Sequence, residues 1–240
     1  MRRVVVLTVI LPALAALSAC GKQSPTASDT TPTTTAPTTS ATAIVPRSAH
    51  DGCKAVPAPR PKADPNARLS HKKLDRKARY IAIVKTNCGT IRIQLANLRS
   101  PKTTSSFAGL VRRRYYDGLT FHRIAKPGGN DYVIQGGDPM LDGNGGPGYS
   151  VVEKPAKRTR YVRGVVAMAK ASGDPSGASG SQFFVVTARE APLPPDYAVL
   201  GRVVAGKKTV RRISRLATDP STEMPLDPVV ITSIRIERRR

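Results

Sequence analysis

The stretch "YIAIVKTNCGTIRIQL", Tyr80 to Leu95, alternates apolar and polar residues on both sides of "NCG". Period-2 alternation interrupted by a glycine-containing turn predicts two antiparallel strands, 80–86 and 90–95, joined as a hairpin. An antiparallel sheet therefore begins here. Downstream, "SPKTTSSFAGLVRRRYYDG" places Phe107, Leu110 and Val111 at helical spacing between Ser/Thr start signals and Gly118, which predicts a helix ending at that glycine. Short strand-like runs follow, "LTFHRIA", "DYVIQGG", "YVRGVVAMAK", "SQFFVVTA" and "AVLGRVV", separated by glycine-rich loops. A second helix is expected over 207–216 and a last strand over 228–237. About eight short strands and two helices predict a mainly β fold, a closed eight-stranded antiparallel β-barrel capped by two α-helices, because closure removes sheet edges.

Upstream of the hairpin the composition changes. Arg2 and Arg3 precede an apolar run from Val4 to Ala19, a charged n-region followed by an h-region that is short for a membrane span. It ends in "LSAC", Leu17 to Cys20, which resembles a bacterial lipoprotein signal, in which the cysteine is lipidated and becomes the first mature residue. An ordinary secretory signal with an incidental cysteine is the alternative, and either one exports the chain. Residues 21–75 are rich in Thr, Ser, Ala and Pro and then in Pro and basic residues, with too little apolar surface to offset the entropy of folding. The expected organisation is a signal over 1–20, a disordered tether over 21–75 and one folded domain over 76–240. Cys53 and Cys88 remain as an even pair in a compartment where disulfides persist, so a bridge pinning the tether to the domain is expected.

The net charge is +23 at pH 7, most of it in the folded domain. The basic runs "VRRRYY", "GKKTVRRISR" and "IERRR" lack a regular pattern of stacking aromatics, so nucleic acid is not the expected partner; weak contact with anionic lipid or wall polymers fits export better, and a merely solvated basic surface fits better still. The histidines are His50, His71 and His122. The first two fall in the tether and no carboxylate stands at ligand spacing from His122, so no metal or other cofactor is expected. "GASGSQ" lacks the G-x-S-x-G elbow of a serine hydrolase, and "GNGGPG" lacks the G-K-[ST] ending of a phosphate loop. What remains is a set of polar, non-nucleophilic residues on strands, Arg123, Gln135 and Gln182, among aromatic and aliphatic neighbours.

Taken in order, "FHRI", "VIQGGDP", "GNGGPGY", "GVVAMAKA" and "GSQFFVVTA" resemble the signature segments of the cyclophilin family of peptidyl-prolyl cis/trans isomerases, over roughly 79–237. The resemblance implies an eight-stranded barrel, no cofactor, and catalysis by Arg123 with Gln135, beside which His122 is a supporting residue. It implies substrate contacts from Tyr132, Val133, Met168, Ala169, Lys170, Gln182, Phe184, Leu193 and Tyr197, with Met168, Phe184, Leu193 and Tyr132 burying the proline ring. Tyr132 and Val133 stand where the family commonly has Phe and Met, Lys170 where it has Asn, Tyr197 where it has His, and Pro192 where many members carry Trp. Gln135 either orients Arg123 or holds a substrate carbonyl. The implied partners are proline-containing unfolded or exported polypeptides, met by a monomer held at the outer face of the membrane through lipidated Cys20. A non-catalytic holdase or scaffold for proline-containing chains is the rival reading.

Overall fold

The structure, a computed structural model, describes residues 52–62 and 67–239. The expected signal over 1–20, the lipidation site Cys20, and residues 21–51 and 63–66 of the expected tether lie outside the described residues.

The hairpin forms as strands β1 (Arg79–Thr86) and β2 (Gly89–Leu95). Their register pairs Val84 with Ile91 and Ala82 with Ile93, four side chains that are all buried, so the alternation read in the sequence becomes one interior face. Helix α1 runs over Pro101–Arg112. Its first turn is capped from a distance: the Glu153 carboxylate accepts from the backbone N–H groups of Lys102 (3.2 Å) and Thr103 (2.9 Å), where negative charge meets the positive helix end. The helix stops six residues short of Gly118, because Arg114 adopts a left-handed backbone (φ 55°) and turns the chain inward. That turn drives Tyr116 into the core beside Phe107 and Phe183, at ring-centroid distances of 5.1 and 5.9 Å.

Beyond α1 come β3 (Arg123–Ala125), β4 (Val133–Gly136), β5 (Val151–Val152), β6 (Tyr161–Val162), β7 (Val165–Met168), β8 (Ala178–Ser179), β9 (Phe183–Val186), β10 (Glu190–Ala191) and β11 (Val199–Ala205). Helix α2 (Lys207–Ser214) and β12 (Ile231–Arg239) complete the order. Gly206 opens α2 with φ 83°, and a Cβ there would sit 2.2 Å from the Thr90 carbonyl oxygen, so only glycine lets α2 lie against β2.

Eight strands form one antiparallel sheet in the order β12-β1-β2-β11-β7-β9-β4-β3. The sheet curls strongly but does not close: β3 and β12 are its two edges, and the expected closed barrel is an open half-barrel. The reason lies in what each edge is bonded to. The chain before β3 meets the start of β12 through Gly118, Leu119 and Phe121, whereas the Ile124 N–H of β3 donates to the Glu223 carbonyl at 2.8 Å. A loop occupies the edge that closure would have used.

The described part of the N-terminal segment forms no strand, yet it is fixed to the domain. Cys53 and Cys88 form a disulfide, Lys54 N–H donates to the Asn87 carbonyl, and further on Lys62, Ala67 and Leu74 donate backbone N–H groups to Pro139, Pro147 and Ser105. The bridge spans 35 residues, for which loop-closure entropy is worth about 3 to 4 kcal/mol. Replacing both Cys53 and Cys88 by serine is expected to lower stability by about that amount, measured by urea unfolding with and without reductant; a double variant as stable as the reduced and the oxidised parent alike contradicts it.

Candidate active site

Strand pleating sorts the side chains of β3, β4, β9 and β7 onto two faces. Ile124, Ile134, Phe183, Val185, Val166 and Met168 enter the main interior core, while Ala125, Val133, Phe184, Val186, Val165 and Ala167 form a second apolar cluster. The two sets alternate residue by residue, as a period of two requires. On the second face the register aligns Arg123 with Gln135, Gln135 with Phe184 and Phe184 with Ala167, one row across four strands.

That row opens onto a cleft of about 160 Å³, lined by Arg123, Tyr132, Val133, Gln135, Ala169, Lys170, Phe184, Leu193 and Tyr197. It is smaller than a typical small-molecule pocket and suits a single small ring. Nine of the expected site residues therefore come together. Met168 does not: in β7 its parity points it into the core opposite Phe183, and Ala167 takes the place beside Phe184. His122 is not at the cleft either. Gln182 stands one step back, at the adjoining depression formed by the 143–150 and 169–174 loops.

The polar groups form a directed chain. Arg123 donates from Nη1 to Gln135 Oε1 (3.3 Å), Gln135 Nε2 donates to Gln182 Oε1 (2.8 Å), and Gln182 Nε2 donates to the carbonyls of Gly143 and Gly145, both at 2.8 Å. A guanidinium only donates, so the amide of Gln135 must face it with oxygen, and the amide of Gln182 follows. Gln135 thus spends its oxygen on Arg123 and its nitrogen on Gln182. Of the two uses open in the sequence, orienting the arginine is the one this geometry supplies. On the other side, Arg123 Nε donates to Glu223 Oε2 at 2.6 Å. Glu223 lies 100 residues from Arg123 and carries no motif, so no local pattern could have found it.

Lys170 is similarly committed. Its ammonium pairs with Asp196 (2.9 Å), donates to the carbonyls of Ala171 and Asp174 (3.4 and 3.1 Å), and lies 5.9 Å from the Tyr197 ring centroid. Hydrogen bonding to Asp196 raises its pKa above the ordinary lysine value. Three oxygens use its three protons, so the side chain walls the cleft rather than offering a free donor. Tyr161, fully buried and unnoticed in the sequence, braces this wall: its hydroxyl donates to the Tyr197 carbonyl (2.7 Å) and accepts from the Tyr197 N–H (2.9 Å). Tyr197 in turn meets Phe184 edge to face, centroids 5.5 Å apart.

Comparisons with known proteins agree with this geometry. Residues 81–236 match the family model described as cyclophilin type peptidyl-prolyl cis-trans isomerase/CLD. The chain is similar to peptidyl-prolyl cis-trans isomerase B of Streptomyces anulatus, 35% identical over 176 residues that cover 66% of this chain and 97% of that protein. It is 34% identical over 173 residues to peptidyl-prolyl cis-trans isomerase A of Mycobacterium tuberculosis, covering 65% and 91%. Among solved structures, a cyclophilin type isomerase from Cryptosporidium parvum, crystallised in the presence of the dipeptide Ala-Pro, aligns with a TM-score of 0.59 and 29% identity, covering 66% of this chain and 99% of that one.

His122 is buried, and neither ring nitrogen has a partner in normal hydrogen-bond geometry among the described residues. Burial lowers its pKa below the ordinary 6.5, Arg123 adds to the effect, and Asp138, Asp142 and the Thr120 backbone oppose it. A histidine held neutral must take up a proton on unfolding, so its contribution to stability is complete above pH 6.5 and is lost as pH falls toward the lowered folded value. Melting temperature is expected to drop between pH 7 and pH 5 by more in the parent than in His122→Gln; equal drops in the two proteins would remove His122 as a cause.

Proposed function

Because the chain belongs to the cyclophilin family of peptidyl-prolyl cis/trans isomerases, and so accelerates rotation about X-Pro peptide bonds, we propose that the Arg123–Gln135–Phe184 row is its working centre. The X-Pro bond resists rotation through amide resonance, a barrier of about 18 to 20 kcal/mol, and no bond is made or broken when it turns. A catalyst must favour the twisted amide, whose prolyl nitrogen has regained a lone pair able to accept a hydrogen bond.

Phe184, Val133 and Leu193 would seat the pyrrolidine ring and exclude water from one side of the rotating bond. Arg123, permanently charged and held at Nε and Nη1, keeps Nη2 without a partner among the described residues and would present it to the prolyl nitrogen. His122 takes no part in proton transfer on this reading. The observation that carries it is the register that sets a fixed guanidinium and an aromatic wall side by side over a cleft of one-ring size.

The clients we propose are exported, proline-containing polypeptides, encountered at the outer face of the membrane. The charged n-region, the apolar run and "LSAC" ending at Cys20 support that location. The net charge of +23 supports weak attraction to anionic lipid or wall polymers once there.

Arg123→Ala is expected to lower isomerisation of a short X-Pro peptide by about 10² to 10³, the cost of losing one preorganised donor, with the fold retained by circular dichroism. A folded variant of near-parental activity rejects the assignment. For the location, Cys20→Ala is expected to shift the protein from the membrane fraction to the medium, and membrane retention of that variant counts against lipid anchoring.

A further inference from the structure

Arg123 is gripped from two sides, and only one of them, Gln135, belongs to the strands that build the cleft. The other comes from the turn at 219–224. Asp219 organises this turn: its Oδ1 accepts from the N–H and hydroxyl of Ser221 (2.9 and 2.6 Å) and from those of Thr222 (2.9 and 3.1 Å). These four donors hold the Asp219 pKa down to about 2, so the arrangement persists through the neutral range. The backbone closes it further, with Glu223 N–H to the Asp219 carbonyl (2.9 Å) and Asp219 N–H to the Met224 carbonyl (2.8 Å).

At the tip, Glu223 sits in the left-handed region with φ 58°. Glycine or asparagine would occupy such a place at lower conformational cost. Glu223 instead contacts β3 twice: its carbonyl accepts the Ile124 N–H (2.8 Å) and its carboxylate accepts Arg123 Nε (2.6 Å). A strained, braced residue whose side chain ends on a single guanidinium is better explained by that guanidinium than by the turn.

We propose that Glu223 is a positioning residue for the isomerase reaction, fixing the plane of the Arg123 guanidinium from the side opposite Gln135. One contact would leave the guanidinium free to swing; contacts at Nε and Nη1 define its plane. The carboxylate also keeps Arg123 partnered when a peptide covers the cleft and strips water from it, a step that matters because the two side chains are about a third exposed in the free protein (39% and 33%). The inference rests on Arg123 being the group that meets the prolyl nitrogen.

The test uses the full chain with Glu223→Gln and Glu223→Gly, each also placed on Arg123→Ala. Turnover of an X-Pro peptide is expected to fall by about tenfold in both single variants, the scale of a misaligned donor, with KM nearly unchanged. Glu223→Gly should melt at the same temperature as the parent or higher, since glycine accepts the left-handed backbone, which separates positioning from folding. On the Arg123→Ala background neither change should lower the residual rate further, read by exchange NMR. Parental kcat in Glu223→Gly, or an equal further loss on Arg123→Ala, overturns the proposal. If Arg123→Ala itself retains activity, the failure lies in the assignment of Arg123 instead.

Discussion

The pairing of Gln135 with both Arg123 and Phe184 is the constraint from which the rest of the site follows. Three strands in fixed register leave no choice about which side chains share a face. Once Ile134 and Val185 are committed to the core, Gln135 and Phe184 must lie on the other side, and Arg123 beside them. A slip of one residue in β4 would send Gln135 into the interior and bring an isoleucine to the cleft. The large apolar core, with Phe107, Tyr116, Phe121 and Phe183 in contact, therefore acts on function through register: it makes every alternative pairing costly.

Polar order is laid over this apolar frame. From Glu223 through Arg123, Gln135 and Gln182 to the carbonyls of Gly143 and Gly145, each group has one orientation that satisfies its neighbours. Such a chain fixes amide and guanidinium planes without burying an unpaired charge, which an interior site could do only at a cost of several kcal/mol. The cleft wall is held by a separate set, Lys170 with Asp196 and Tyr161 with Tyr197, so the ring-binding surface and the donor are stiffened independently.

Much of this was legible in the sequence, and the failures have identifiable causes. The hairpin, both helices and the site strands follow from periodicity and turn residues, which are local. Arg123, Gln135, Phe184 and Leu193 were reached through ordered motifs that span much of the domain. Met168 was misplaced because a motif names a residue without its strand parity, and in β7 parity sends Met168 inward. Closure of the barrel was misread because it depends on hydrogen bonding at the edge of β3, where the Glu223 carbonyl intervenes. Glu223, Asp196 and Tyr161 act through contacts distant in sequence, and nothing in their neighbourhoods marks them. The helix end at Arg112 was missed for a smaller reason: Arg114, a residue with no turn preference, takes a left-handed conformation four residues before Gly118.

If the chain is anchored through Cys20 as proposed above, the disulfide between Cys53 and Cys88 takes on a mechanical meaning. A pull on that end reaches the domain at the β1–β2 turn, through a covalent bond, before it is felt at Lys62, Ala67 or Leu74. The cleft draws its lining from β3, β4 and β9, the loop before β4 and the loops that follow β7 and β10, and none of it from β1 or β2. Force delivered along such a tether would enter the sheet at its longest ladder, β1 with β2 and β12, and not at the strands whose register sets the active face.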